Sequence, residues 1–221
     1  MGVKERQERE REAVARAILD AARALFVAEG YHNVSIRKIA ERIEYSPAAI
    51  YSYFPSKDDI FYALAEEGFH LLFAPVETPH EDPDPVASIR DTFWRLYEFS
   101  RSHPEYFSLM FVDRTVPRIS KDWERFGFVR EMKTQIGAKI QRAVDAGHFP
   151  PGSHPDAIAR VLMTVMFGAA IGRLCQRAIP GDDLDALARD TLEAALTGLR
   201  TGFPTTYVPM HGTASASDEI E

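Results

Sequence analysis

The chain has 221 residues, of which 45% are hydrophobic and 27% charged, and its formal net charge is −7 at pH 7. This length and balance are typical of a soluble globular protein that can bury a substantial core. Cys175 is the only cysteine, which excludes an intramolecular disulfide, and the N-terminus has no apolar run resembling a secretion signal. We therefore expect a cytoplasmic protein with no membrane segment.

The negative charge is confined to the later part of the chain. Residues 1–60 contain 10 Lys and Arg against 10 Asp and Glu, whereas the remainder contains 16 against 23. An acidic protein is repelled by DNA unless its charges are segregated. The neutral N-terminal part is therefore compatible with a basic face, although it does not establish one.

The first 60 residues predict four helices. Apolar residues from Val14 to Phe26 follow a spacing of three and four, and Gly30 ends this helix. Ser35 caps a second helix, and Ser46 with Pro47 opens a third of about two turns that stops at Pro55. Ser56 caps the fourth.

The rest of the chain also predicts helices, so the fold class is all-α with about nine helices. A proline-rich connector, "TPHEDPDP", follows the fourth helix, and the last residues, 204–221, predict a disordered tail. Helical patterns cover residues 85–103, 104–112, 120–146, 154–178 and 182–203.

The stretch "SPAAIYSYF", residues 46–54, indicates a recognition helix in a helix-turn-helix. Ile50 and Phe54, four residues apart, can face the core. The small residues of the stretch allow close approach to DNA, while Tyr51 and Tyr53 can direct their hydroxyls to phosphate. A small helical bundle with a buried aromatic cluster is the alternative interpretation.

The segment "SIRKIAERIEYSPAAIYSYFPSKDDIFYAL" resembles the DNA-binding region of the TetR family of bacterial repressors. The shared positions include Ser35, Ser46, the "IYSYF" block and Lys57. Two departures stand out. Glu44 occupies a turn position where family members often have glycine, and Ala49 replaces a common threonine or serine.

The resemblance implies a DNA-binding role for particular residues. Ser35, Tyr51, Tyr53 and Lys57 would bind phosphates, and Arg37 is the leading candidate for a base-edge contact. Because the recognition helix has no Arg, Asn or Gln, we expect DNA shape to supply much of the specificity. The complete predicted DNA-binding set is Ser35, Arg37, Ser46, Pro47, Ala48, Ala49, Tyr51, Ser52, Tyr53 and Lys57.

The resemblance also implies two domains in the chain. Residues 1–56 would form the helix-turn-helix domain, with 1–12 as a charged arm that is equally compatible with a solvated helix extension. Residues 57–203 would form a larger helical domain for ligand binding and dimerisation. Partners would be a palindromic double-stranded DNA operator, a small effector and a second copy of the chain.

Aromatic residues are concentrated in the second part, where 14 of the 24 lie between Phe61 and Phe128. Individually such residues are more often plain core, but as a set they suit an apolar effector pocket. The predicted lining residues are Phe93, Trp94, Tyr97, Phe107, Met110, Phe111, Trp123, Phe126, Met132, Met163, Met166 and Phe167.

The last two helices are the predicted dimer face, because Gly168, Ala169 and Gly172 would allow close helix approach. The same small residues could instead pack within one subunit. The expected mechanism is a population shift, with the fourth helix as the lever by which a bound effector lowers operator affinity.

An enzyme is disfavoured, since the chain has no HExxH, GxSxG, GxGxxG or P-loop pattern. No metal or cofactor is expected. A helical adaptor that binds another protein through the aromatic region, without specific DNA binding, remains the alternative function.

Overall fold

The computed structural model describes residues 2–74, 84–118, 124–175 and 183–202, and within these ranges the chain is helical without strands. The predicted all-α class is therefore confirmed. The helices are α1 (Val3–Glu29), α2 (Ile36–Arg42), α3 (Pro47–Tyr51), α4 (Lys57–Phe73), α5 (Pro85–Ser102), α6 (Pro104–Phe107), α7 (Gly127–Asp145), α8 (Pro155–Leu174) and α9 (Leu184–Thr201). A 3₁₀ turn (Tyr31–Asn33) follows α1, and a π-helical turn (Ser108–Val112) continues α6.

The first three helices form a small core of their own. Ile18 and Phe26 of α1, Ile39 of α2 and Ile50 of α3 are at most 2% exposed. Apolar side chains at these spacings bury one face of each helix and remove it from water. Tyr31 and Phe61 extend this core to α4 through an edge-to-face contact with ring centroids 5.9 Å apart.

Serine residues begin α2, α3 and α4 as predicted. The Oγ atoms of Ser35, Ser46 and Ser56 accept hydrogen bonds from the backbone N–H groups of Lys38, Ala49 and Asp59, respectively. Each bond satisfies an amide that has no partner inside its helix. The caps thereby fix where the chain turns on both sides of α3.

The turn between α2 and α3 depends on an unusual backbone conformation. Glu44 has φ 59°, the only positive φ at a non-glycine residue in the described part of the chain. Side chains other than glycine are strained there, because Cβ approaches the following carbonyl oxygen. The turn therefore keeps a left-handed residue at position 44 although glycine is absent, and Glu44 bears the resulting strain.

The later helices enclose a second core. Helix α5 lies against α7, α8 and α9, and α8 also lies along α9. Buried side chains from all four helices fill the space between them, including Phe93, Ile140, Leu162 and Leu196. Helix α4 connects the two cores, since its residues contact both α1 and the α5–α6 region.

Several predicted boundaries need correction. Helix α3 ends at Tyr51, short of Pro55, because the chain leaves the helix through turns at Ser52 and Tyr53. The segment 104–112 is not one regular helix, since it changes to π-helical bonding at Ser108. Helix α7 begins at Gly127 after a turn, later than the predicted start. Most of the "TPHEDPDP" connector, Trp123 and the tail 204–221 lie outside the described residues.

Candidate DNA-binding face and effector region

Helix α3 presents a small, uncharged outer face. Ile50 is fully buried, whereas Tyr51 is 53% exposed and Pro47, Ala48 and Ser52 are also exposed. Ala49 is half-buried. The short side chains leave the α3 backbone accessible, so another surface can approach it closely.

Hydroxyl groups surround this face. Ser35 and Ser46 use an Oγ lone pair for capping, which leaves each hydroxyl proton able to donate to a phosphate oxygen. Ser52 differs, because its hydroxyl already donates to the Ala49 carbonyl at 2.6 Å. The half-buried Tyr53 has the Arg11 guanidinium over its ring, 5.7 Å from the centroid.

Arg37 lies on the outer surface of α2 with a side chain that is 80% exposed. Its Nε donates to Glu41 Oε1 at 2.8 Å, one helical turn away. An exposed pair of this kind contributes little to stability and is easily exchanged. The guanidinium can therefore leave Glu41 for a stronger acceptor.

Lys57 has a structural role that the sequence did not predict. Its Nζ donates to the backbone carbonyls of Tyr31 at 2.9 Å and Val34 at 3.0 Å, and lies 4.1 Å from the Tyr31 ring centroid. Burial lowers the pKa of Lys57, an effect that nearby Asp58 opposes. Only one of the three ammonium protons is left for a phosphate. The predicted phosphate contact of Lys57 thus stays a prediction.

Tyr45 is a candidate that sequence reasoning missed. It precedes the α3 cap, and 44% of its surface is exposed, compared with 53% for Tyr51. A large aromatic residue that remains exposed next to a recognition helix suggests a contact surface. Its position immediately before Ser46 was the available signal.

Four of the predicted effector residues lie in one aromatic cluster. Phe107, Phe111 and Phe167 contact one another with centroid distances of 5.2 to 6.0 Å. Phe69 of α4 contacts Phe111 at 6.0 Å and links Phe126 to the group at 5.8 Å. We call Phe69, Phe107, Phe111, Phe126 and Phe167 the aromatic cluster.

Helix α4 places further aromatic residues next to the aromatic cluster, and these were not predicted. Phe69 stacks against Phe73 at 6.0 Å, and His70 stacks against Phe128 at 4.5 Å. Phe73, Phe111, Phe128 and Phe167 are only half-buried. A ligand arriving from solvent would therefore meet rings from α4, α7, α8 and the π turn.

The remaining predicted pocket residues are divided between the core and α9. Met110 and Met166 are buried, as is Phe93, whereas Met132 and Met163 are half-buried. Trp94 and Tyr97 face α9: Arg189 lies over the Trp94 ring, and the Tyr97 hydroxyl donates to Asp185 at 2.7 Å. The structure thus does not bring this pair to the aromatic cluster.

Helices α8 and α9 leave an apolar surface uncovered. Ile171 and Leu187 are 39% and 52% exposed, and a Cβ added at Gly168 or Gly172 would meet only open space. By length and composition α8 is apolar enough to cross a membrane, and only 28% of its most apolar 18-residue stretch is buried. Thr191 and Ala194 continue this surface along α9.

No group of three or more His, Cys, Asp or Glu side chains within the described ranges is placed to hold a metal ion. The seam between the two cores is instead rich in ion pairs and hydrogen bonds. Arg16 of α1 binds Glu67 of α4 through two contacts of 2.6 and 2.9 Å, and Arg23 donates to Tyr106 at 2.6 Å.

The capped α2–α3 pair, its exposed small face and the larger helical body together define a helix-turn-helix protein with a second all-α region. Residues 18–64 match the family model described as "Bacterial regulatory proteins, tetR family". The helix-turn-helix segment of the chain is therefore similar to that of the TetR family.

Known proteins resemble the chain in sequence and in fold. The transcriptional regulator RutR of Escherichia coli O157:H7 is 31% identical over 139 residues, which cover 63% of this chain and 66%, just under two thirds, of RutR. A tetR-family regulator from Rhodococcus RHA1 superposes with a TM-score of 0.65 at 22% identity, covering 84% of this chain and 96% of that one. FadR of Bacillus subtilis in complex with stearoyl-CoA gives 0.67 at 16% identity, with coverages of 83% and 98%.

Proposed function

We propose that the protein is a ligand-responsive transcriptional regulator and a repressor. It binds a palindromic operator as a dimer and is released by a small apolar or aromatic effector. Residues 1–56 form the DNA-binding domain, and residues 57–203 form the domain that binds the effector and the partner subunit. The observation that carries the proposal is the exposed, serine-capped α3 within a segment that matches the family model. The match favours this function over a helical adaptor and over an enzyme.

The exposed face of α3 supports docking in the major groove. Pro47, Ala48 and Ala49 offer apolar contact to thymine methyl groups, and the neighbouring hydroxyls offer donors to phosphate. Arg37, exposed on α2, reads a base edge after releasing Glu41. With few direct contacts of this kind, DNA shape contributes much of the specificity.

The uncovered surface of α8 and α9 supports a two-fold dimer. If a second copy covers apolar residues such as Ile171 and Leu187, their surface is removed from water, which stabilises the dimer. The open space beside Gly168 and Gly172 allows a partner helix to approach closely. A dimer also matches the symmetry of a palindrome, since each subunit then reads one half-site.

The aromatic cluster supports an apolar or aromatic effector. Half-buried phenylalanine rings from several helices provide area that a ligand can cover, and aromatic pairs favour tilted contacts. FadR, which shares the fold, was solved with stearoyl-CoA. A ligand in the cluster would contact Phe111 and Phe167 and so displace the π turn relative to α8.

A displacement of the π turn would reach the DNA-binding helices through α4. Gly68 of α4 is buried, and a Cβ there would lie 2.2 Å from Met110 Sδ and 3.1 Å from Tyr106 Cδ1. The backbone of α4 at Gly68 thus packs directly onto the Tyr106 side chain of α6 and the Met110 side chain of the π turn. Close contact of this kind transmits small shifts, because packed surfaces deform little.

Charged groups tie α1 to the same seam. The Arg23 guanidinium lies 4.9 Å from the Tyr106 ring centroid and 3.1 Å from Glu105 Oε2, but the buried Nε is not aligned for a hydrogen bond. Hydrogen bonds from Arg16 and Tyr106 outweigh the effect of burial and lower the pKa of Glu67. A charged network then links α1, α4 and α6.

A second link runs through Tyr31. Its backbone N–H donates to Asp113 after the π turn, at 3.3 Å, and its hydroxyl donates to Asp58 at the start of α4. Burial and Asp58 both raise the pKa of Tyr31, so its hydroxyl stays protonated as the donor. Movement of the π turn would therefore act directly on the start of α4, which follows the recognition helix in the chain.

The proposed function is tested by selecting duplexes from a random DNA library with the purified protein and titrating the selected duplex. Ala48→Glu places a negative charge on the exposed face of α3. A negative charge near the N-terminus of a helix stabilises the helix, but this one would repel the DNA phosphates. Ala138→Glu, on the exposed face of α7, is the matched control. We expect Ala48→Glu to abolish binding and Ala138→Glu to retain it. Equal binding by both variants would refute DNA docking through α3.

A further inference from the structure

A groove of about 660 Å³ separates the start of α1 from α3 on the proposed DNA face. Gln7, Glu10, Arg11 and Val14 form its α1 side, because residues three, four and seven apart share one face of a helix. The opposite side consists of Tyr45, Ser52 and Tyr53. The groove therefore brings α1 beside two of the hydroxyls predicted to lie near DNA.

Arg11 is the cation among the residues that line this groove. Glu10, the acidic residue in the lining, is paired with Arg6 at 2.9 Å. Arg11 itself has no carboxylate within ion-pairing distance among the described residues. Its guanidinium lies over the Tyr53 ring instead, 5.7 Å from the centroid.

The position of Arg11 along α1 separates it from the other basic residues of the arm. It lies one turn before Val14, which packs against the core, so the domain holds this part of α1. Lys4, Arg6 and Arg9 lie further from the core, and Arg9 Nε donates to the Glu5 carbonyl at 3.2 Å. Arg11 is thus the arm cation whose side chain is oriented by the helix-turn-helix itself.

We infer that Arg11 and Tyr53 together bind one backbone phosphate of the DNA, at the edge of the recognition helix. A guanidinium that lies over an aromatic ring keeps its edge N–H groups available for a bidentate contact with phosphate. The Tyr53 hydroxyl donates to the same phosphate. This inference rests on the proposed function and assigns a DNA contact to the first turns of α1.

The test uses the full chain and the duplex selected by the wild-type protein, with affinity measured over a range of salt concentrations. Arg11→Ala removes one phosphate contact per subunit, so the slope of log affinity against log salt should fall by about 2 for a dimer. The affinity should fall about ten-fold or more. Arg11→Lys keeps the charge and should retain the slope, with an affinity between those of the other two proteins.

Arg9→Ala is the matched control, since it removes the same charge from an exposed arm residue whose side chain donates only to its own helix. We expect wild-type affinity and slope for Arg9→Ala. The inference is overturned if Arg11→Ala binds like wild type, or if Arg9→Ala loses as much. A wild-type protein that selects no duplex at all would instead overturn the proposed function. Thermal unfolding of each variant verifies that the domain is folded.

Discussion

Gly68→Ala tests whether α4 must lie directly against α6 and the π turn. The added Cβ would lie 2.2 Å from Met110 Sδ, 3.1 Å from Tyr106 Cδ1 and 3.3 Å from Met110 Cε. The Met110 side chain is flexible at this end, but Met110 is only 7% exposed, so the side chain must repack within the core to make room. Overpacking of this kind costs about 1–3 kcal/mol. The change from glycine to alanine within a helix returns about 1 kcal/mol.

Gly137→Ala on α7 is the matched control. A Cβ at Gly137 meets no atom within 4 Å, so this variant receives the gain in helix propensity without a clash. Its free energy of unfolding should rise by about 1 kcal/mol. The two variants should therefore differ by about 1–3 kcal/mol, measured by urea unfolding. If Gly68→Ala is as stable as Gly137→Ala, the close approach of α4 to the π turn is not real, and the proposed coupling loses its basis.

Four further results are expected from single substitutions. Glu44→Gly should raise the free energy of unfolding by about 1 kcal/mol, because glycine relieves the strain at φ 59°; unchanged or lower stability in thermal unfolding would contradict this. Lys57→Met should lower it by about 1–3 kcal/mol through the two unpaired carbonyls, whereas a side chain used only for phosphate would leave stability unchanged. Wild type should lose stability as pH falls below about 4.5, since unfolded Glu67 takes up a proton before the folded carboxylate with its lowered pKa does. The stability of Glu67→Gln should fall less steeply with decreasing pH. If wild type and variant lose stability identically at acid pH, the ion pair of Glu67 with Arg16 does not contribute. Leu187→Glu should give a monomer by analytical ultracentrifugation with unchanged helix content, and a dimer would place the subunit contact elsewhere.

The parts of the fold that depend on local chemistry could be predicted from the sequence. Ser35, Ser46 and Ser56 cap helices because each lies before an apolar helical pattern, and each Oγ accepts a hydrogen bond from the backbone N–H three residues later. The strain at Glu44 was equally local, since the turn geometry follows from the number of residues between two helices. The buried position of Ile50 followed from its spacing with Phe54.

The parts that depend on contacts distant in sequence could not be predicted. Lys57 was expected at phosphate from its motif, but its ammonium binds carbonyls of Tyr31 and Val34, more than 20 residues earlier. Gly68 gave no signal, because a glycine inside a helix has meaning only when its neighbour is known. Trp94 and Tyr97 lie close to Phe93 along α5, so their spacing alone did not separate them from it. Only the packing of the helices shows that they contact α9 and not the aromatic cluster.

The central claim is that the helix-turn-helix recognises a particular DNA sequence. The most direct measurement is the affinity of wild-type protein for its selected duplex and for a scrambled duplex of the same composition, at the same physiological salt concentration. The account predicts a palindromic selected sequence that binds at least about 10³-fold more tightly than the scrambled one. Equal affinity for the two duplexes would contradict it.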